Sequence, residues 1–327
     1  MSVPLSELLG VSQVVSLPLT TRFRGITTRE ALVFEGPAGW TEFSPFVEYD
    51  DAESAAWLRA AIDFGWRAAA LPAGAPARIR VNATLPAVAA DDVEDVLKRF
   101  PGCRTVKVKV AEAGQTVADD VARVSQARDY LGPDGRIRID ANGGWNLDEA
   151  EHAIHALAEF DLEYVEQPCP TVDELAQIRK RVKYMGIPIA ADESVRKAED
   201  PVAVARAKAA DILIIKAQPL GGIERALEII AEAGLPVVVS SALDTSIGLS
   251  MGAYLAASIP GGLLYDCGLG TAALLAADVT DMPLLPTDGA IDVRRITPSP
   301  DLLARYAASP ERTTWWRDRL TRVHALL

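Results

Sequence analysis

The stretch Thr105-Val106-Lys107-Val108-Lys109-Val110 alternates lysine with valine through a run that has the β-branched content of a strand. Successive side chains of a strand point to opposite faces, so Lys107 and Lys109 share one face and the valines take the other. Two like charges about 7 Å apart on that face are costly unless something nearby wants them. Candidates follow at a near-constant interval: Asp140, Glu166, Asp192 and Lys216 each close a short apolar run, 24 to 31 residues after the preceding charge. A strand with its crossover helix fits in about 30 residues. The stretch is therefore one unit of a repeat.

Working outward, strands are expected near 79–85, 105–110, 136–140, 163–166, 188–192, 211–216, 236–240 and 263–266, with amphipathic helices between them. Eight parallel strands joined by right-handed crossovers close most simply into a barrel. Upstream, strands are expected over 14–17, 29–35 and 40–43, with Gly36-Pro37-Ala38-Gly39 turning between the last two. A helix is expected from about 50 to 70, and Leu71 to Pro76 reads as a linker. After the last strand the chain is proline-rich, and residues 315–327 are expected to form a closing helix against the N-terminal meander or the barrel bottom.

A chain of 327 residues suits one large α/β barrel or two domains with ample core. No run of 18 apolar residues and no basic-then-apolar leader is present, which leads us to expect a cytoplasmic protein with no membrane association. The net charge of −12 disfavours nucleic acid as a partner and leaves a small anionic substrate, met by locally inward-pointing lysines. Oligomeric state is left open. Cys103, Cys169 and Cys267 are odd in number and far apart, the pattern of reduced core residues rather than of a disulfide or zinc framework.

In a parallel α/β barrel the reactive groups sit at the C-terminal ends of the strands, where Asp140, Glu166 and Asp192 fall. Taken singly, each acid reads more readily as a helix cap or a surface charge. Three on consecutive strands converge instead, and their repulsion calls for a cation. Oxygen ligands favour a hard divalent ion, Mg²⁺ before Mn²⁺. Asn142 and Glu193 stand close enough in sequence to orient these ligands. His152, His155 and His324 are not placed to act as a base at the rim. Lys109 is, because Lys107 and a cation beside it both disfavour its protonated form. Lys216 lies four strands further round and would face Lys109 across the ion. For either lysine alone, a snorkelling strand-end residue is the ordinary reading. Gly268-Leu269-Gly270-Thr271-Ala272-Ala273 matches a dinucleotide fingerprint in the wrong place. It reads equally as a tight turn or as a loop whose backbone N–H groups hold a carboxylate.

As a set these residues resemble the enolase superfamily in its muconate-lactonizing branch: the K-x-K strand, Asp140-Ala141-Asn142, Glu166-Gln167-Pro168, Ala191-Asp192-Glu193-Ser194 and Lys216. Within that branch the short length, Ser240 to Gly248, and Cys267 to Thr271 look most like the o-succinylbenzoate synthases of menaquinone biosynthesis. The resemblance implies an α/β fold, a (β/α)7β TIM-like barrel with an α+β capping domain. We expect the capping domain to span 1–76 with a contribution from 300–327, and the barrel to span 77–299. It implies metal ligation by Asp140, Glu166 and Asp192, acid/base work by Lys109, a stabilising or opposite-face role for Lys216, and Lys107 beside them as a third catalytic cation. Arg138, on the face of Asp140, together with Asn142, Ser240, Gly268 and Arg22, would contact substrate, and Glu193 would support the ligands. Thr20 to Gly25 would be a mobile loop over the site.

The chemistry implied is loss of a proton α to a carboxylate, through an enediolate, followed by loss of a β-hydroxyl as water. An N-acylamino acid racemase or dipeptide epimerase also needs two lysines on opposite faces. A catalytically silent scaffold is a third reading, and it has no need of three acids and three lysines.

Overall fold

The computed structural model describes residues 3–196 and 200–327. After the helix Leu5–Val11 comes an antiparallel sheet of three strands in sequential order: β1 (Ser12–Phe23), β2 (Ile26–Gly36) and β3 (Gly39–Phe43). The first hairpin is longer than expected. Its pairing runs from Ser12↔Phe34 to Pro18↔Thr28, slips, and resumes at Phe23↔Ile26. The tip is the pair Arg24-Gly25, at φ of 49° and 79°. Positive φ at both positions is the turn geometry whose twist matches the strands it joins. Residues 20–25, expected to be a loop, thus form the end of an ordered hairpin. The slip breaks the period-2 pattern by which a strand is recognised.

The helix Asp51–Trp66 starts at Asp50, whose side chain accepts from Glu53 N at 2.7 Å. It packs so tightly on the sheet that a Cβ at Gly36 would stand 2.1 Å from Gly65 O. Backbone cannot yield as a side-chain tip can, so Gly36→Ala is expected to cost about 1–3 kcal/mol, read from denaturant unfolding. The C-terminal helix Pro310–His324 covers the same unit, choosing the meander over the barrel bottom. Trp316 Nε1 donates to Glu30 Oε2 at 2.9 Å, and buried Arg319 donates to the carbonyls of Phe46 and Tyr49 at 3.0 and 2.6 Å.

The parallel sheet consists of β5 (Ala83–Leu85), β6 (Thr105–Lys109), β7 (Arg136–Asp140), β8 (Leu162–Glu166), β9 (Ile189–Ala191), β10 (Ile212–Ile215) and β11 (Val237–Val239), in sequential order. Two expectations shift. The strand expected over 79–85 divides into β4 (Arg78–Arg80), antiparallel to β12 (Ala290–Asp292), and β5. The eighth strand is not 263–266, where Leu264 is 76% exposed. It is reduced to Cys267 and Gly268, which bridge to Val81 and Ser240. Asn82 N to Cys267 O (2.9 Å) and Gly268 N to Val239 O (2.8 Å) close the ring.

Three consecutive barrel helices, Val117–Leu131, Leu147–Leu157 and Val172–Arg181, begin with reciprocal capping boxes: Thr116 with Asp119, Asn146 with Glu149, and Thr171 with Glu174. Such caps contribute about 1 kcal/mol each and fix where each helix leaves the rim. The sheet of β1 to β3 docks on the barrel through buried polar groups. Arg29 Nε donates to Leu243 O at 3.1 Å, and Glu42 accepts from Thr245 Oγ1 at 2.6 Å and Gly248 N at 3.0 Å. Burial, then the nearby Asp244, pushes the Glu42 carboxyl up to about 7. Among the described residues no helix is long and apolar enough to cross a membrane. All three cysteines are free thiols.

Candidate active site

The register of the parallel strands sets the rim. Lys109 pairs with Asp140 across β6 and β7, and Asp140 with Glu166 across β7 and β8, so the last residues of three neighbouring strands stand in one row. Asp192 follows β9, and Lys216 follows β10. Asp140, Glu166, Asp192 and Lys216 are buried, and Lys109 keeps a small exposed tip. Lys107 Nζ lies 2.7 Å from Glu166 Oε1 and 3.1 Å from Asp140 Oδ2. Lys109 Nζ donates to Asp140 Oδ2 at 2.5 Å, and Lys216 Nζ to Asp192 Oδ2 at 2.6 Å.

Burial and charge then separate the two lysines of β6. Burial alone would lower Lys107, but Asp140 and then Glu166 outweigh it and raise its ammonium well above the ordinary value. Lys109 ends below its ordinary value, because burial, reinforced by Lys107, exceeds the pull of Asp140. One lysine is fixed as a cation and its neighbour is biased toward giving up its proton. Among the acids, burial favours the neutral form of all three. Lys107 and Lys109 nevertheless hold Asp140 far below the usual carboxylate range, and Lys216 with Arg196 holds Asp192 at about 2. Glu166 is pushed up to about 8 by burial and then by Asp140.

Among the described residues no three ligating groups stand ready-made round an ion, and lysine ammoniums pair with the carboxylates instead. The residues nonetheless fit a hard cation. Glu166 Oε2 is buried without a hydrogen-bond donor, and Asp192 Oδ1 has no hydrogen bond but only the Arg196 guanidinium 3.3 Å away; leaving a buried oxygen unmatched is costly. Asp140, Glu166 and Asp192 would hold such an ion, and its charge would relieve the repulsion that raises Glu166.

A small cavity over this row is lined by Lys107, Lys109, Lys216, Asn142 and Ser240, with Phe23 and Arg24 from the hairpin tip. Asn142 and Glu193 stand beside this row. Asn142 Oδ1 accepts from Lys109 at 2.7 Å, its Nδ2 donates to Glu193 Oε1 at 3.2 Å, and its N–H donates to Asp140 Oδ1 at 3.0 Å. Gln167 was missed: its Oε1 accepts from Asp192 N at 2.9 Å and Ser194 N at 3.2 Å, which braces the turn after β9.

Three expected substrate contacts change. Arg138 does face inward with Asp140, but one layer deeper. It is fully buried, with Nε on Glu163 Oε2 (2.6 Å) and Nη1 on Asn82 Oδ1 (3.0 Å) and Asp266 O (2.7 Å), while Nη2 has no hydrogen-bond partner, so it fills the barrel floor beneath a cavity that it does not line. Gly268 lines the cavity, yet its N–H is committed to Val239 O and is no anion donor. What the position requires is the missing side chain, since a Cβ there would stand 2.4 Å from Ser240 Oγ. Arg22 lines an outer cleft beside Lys109 and Glu112, and Phe23 and Arg24 take the inner places.

Residues 89–298 match the family model described as enolase C-terminal domain-like, and 14–65 match the one described as enolase N-terminal domain-like. The chain belongs to the enolase superfamily. Among its relatives, the o-succinylbenzoate synthase of Mycolicibacterium smegmatis is 52% identical over 99% of this chain and 98% of its own length. The Mycobacterium ulcerans o-succinylbenzoate synthase is 50% identical over 99% and 96%. Solved structures of the same fold include 2-chloromuconate cycloisomerase from Rhodococcus opacus, with a TM-score of 0.76 at 22% identity over 91% of this chain and 98% of that one. The L-Ala-D/L-Glu epimerase of Bacillus subtilis gives 0.73 at 23% identity over 86% and 95%. At such identities the structural matches speak for the fold alone. That fold is the expected α/β barrel with a separate antiparallel sheet, and the two near-full-length relatives at about half identity are both o-succinylbenzoate synthases.

Proposed function

We propose that the chain acts as an o-succinylbenzoate synthase, converting 2-succinyl-6-hydroxy-2,4-cyclohexadiene-1-carboxylate to o-succinylbenzoate and water. The observation that carries the reading is near-full-length identity of 52% to enzymes of that activity, on a chain whose three acids and three lysines meet at one barrel rim. Asp140, Glu166 and Asp192 would hold the cation, Mg²⁺ with Mn²⁺ as a substitute. When bound, it supplies positive charge to the carboxylate whose α-carbon is deprotonated.

Lys109, the lysine biased toward its neutral form, takes the proton from that carbon. The electron pair of the broken C–H bond moves onto the carboxylate as an enediolate, then returns to form a ring double bond as the C–O bond to the hydroxyl breaks. Lys109 returns its proton to the departing oxygen, so water leaves and the ring becomes aromatic. Lys107 and Lys216 remain cations that offset the charge developing on the carboxylate, and Asn142 holds Lys109 in place. Phe23 at the hairpin tip, its ring centroid 5.5 Å from Lys109 Nζ, excludes water. Ser240 is assigned to substrate contact in the inner cavity, and Arg22 to the outer cleft beside Lys109.

We also assign residues 1–76 with 300–327 to a capping unit and 77–299 to the barrel, in keeping with the two family-model matches and with the helix Pro310–His324 lying against β1 and the helix Asp51–Trp66. A cytoplasmic setting is in keeping with three free thiols.

The test is to incubate purified protein and Mg²⁺ with the cyclohexadiene substrate and follow aromatisation by ultraviolet absorbance, with and without a chelator. Metal-dependent aromatisation is expected. Efficient racemisation of N-acylamino acids without aromatisation would instead point to the second use of two lysines on one cavity.

A further inference from the structure

Arg196 is an almost fully buried cation at the end of the short helix after β9, and the reaction proposed above gives it no task. Its three nitrogens point three ways. Nε lies 3.3 Å from Asp192 Oδ1, Nη2 donates to Glu193 Oε1 at 2.6 Å, and Nη1 donates to Tyr49 Oη at 2.9 Å. The first two partners belong to the barrel rim and the third to the segment that follows β3. Tyr49 Oη also accepts from Arg24 Nη1 at 3.4 Å, and Arg24 is the first residue of the hairpin turn that lines the cavity. On the other side, Glu193 Oε1 accepts from Asn142, which holds Lys109. A single guanidinium therefore joins a carboxylate of the rim, the support of Lys109 and the hairpin above them.

We propose that Arg196 is a positioning residue that couples the carboxylate rim to the hairpin, so that a divalent cation at Asp192 tightens residues 20–26 before substrate arrives. The inference rests on the assignment of Asp192 as a cation ligand. Without an ion, Arg196 shares its charge between Asp192 on one side and, on the other, Glu193, the Tyr49 hydroxyl and, 3.9 Å from Nη1, Glu53 of the helix Asp51–Trp66. An ion on Asp192 neutralises the first partner and repels the guanidinium toward the second. Tyr49 is then held more firmly, and with it Arg24, whose guanidinium also lies 4.3 Å from the centre of the Phe46 ring. A planar fork is needed to reach both sides at once, which an ammonium cannot do.

The experiment measures amide hydrogen exchange of residues 20–26 with and without Mg²⁺, no substrate present, with Mg²⁺ affinity read in parallel by calorimetry. In the wild type Mg²⁺ is expected to slow exchange there by about fivefold or more, the lower range of coupling between sites. Tyr49→Phe keeps the ring and removes the accepting oxygen. It should bind Mg²⁺ as the wild type does but show less than about a twofold slowing, with KM raised about tenfold and kcat changed less than about threefold. Arg196→Lys should uncouple in the same way. A Tyr49 with a merely structural role would lower the melting temperature and leave the Mg²⁺-dependent slowing intact, which would overturn the proposal. So would a wild type that binds Mg²⁺ without any slowing. Absence of Mg²⁺ binding to the wild type would remove the cation assignment itself, and is told apart by calorimetry.

Discussion

Lys109→Arg is expected to lower kcat for aromatisation by about 10²- to 10⁴-fold, the range that a positioned acid/base group supplies. Arginine keeps the positive charge beside Asp140, so the local field and the cation site are largely preserved. It cannot lose its proton at working pH, and that is the property the step requires. In the wild type, burial, with Lys107 beside it, pushes Lys109 toward neutrality, and Lys107 is held as a cation by the two carboxylates it touches. Calorimetry should show divalent binding within a few fold of the wild type, which separates lost chemistry from a collapsed site. Turnover within about tenfold of the wild type would mean that another group removes the proton.

The residues that this prediction turns on were legible in the sequence for a physical reason. A buried parallel strand is an apolar run, and a charge that ends such a run stands out against it, as Asp140, Glu166, Asp192, Lys109 and Lys216 do. Depth along the strand was not legible. Arg138 and Asp140 share a face, yet two residues separate the barrel floor from its mouth, and only the partners of Arg138 reveal on which level it lies. Contacts between units were hidden as well. Arg196 meets Tyr49 across 147 positions of sequence, and neither sits in a run whose period marks it. The eighth strand was misplaced because two residues suffice to close the ring, while the more strand-like Leu263-Leu264 stands outside it.

Asp192→Asn carries the second large effect, on the cation itself. Replacing groups that merely support a ligand costs about 10- to 100-fold in metal affinity, so removing a charged ligand is expected to cost more than about 100-fold. Geometry sharpens the point. Lys216 donates to Asp192 Oδ2 at 2.6 Å, and Oδ1 makes no hydrogen bond, with the Arg196 guanidinium 3.3 Å away. An amide has only one accepting oxygen. If it faces Lys216, an N–H₂ group points at the ion. If it faces the ion, that group meets an ammonium. Either choice leaves donor against donor, and the loss of charge also frees Lys216 from its partner. Calorimetry reads the affinity directly, and thermal unfolding gives a check that does not depend on turnover. A ligand at a hundredfold excess over its Kd stabilises by about 2.7 kcal/mol, so Mg²⁺ at that excess for the wild type should raise its melting temperature and leave that of Asp192→Asn almost unmoved. An equal rise in both proteins, with equal affinity, would show that the cation is held without Asp192. The row of carboxylates on β7 and β8 would then need a third partner elsewhere on the rim.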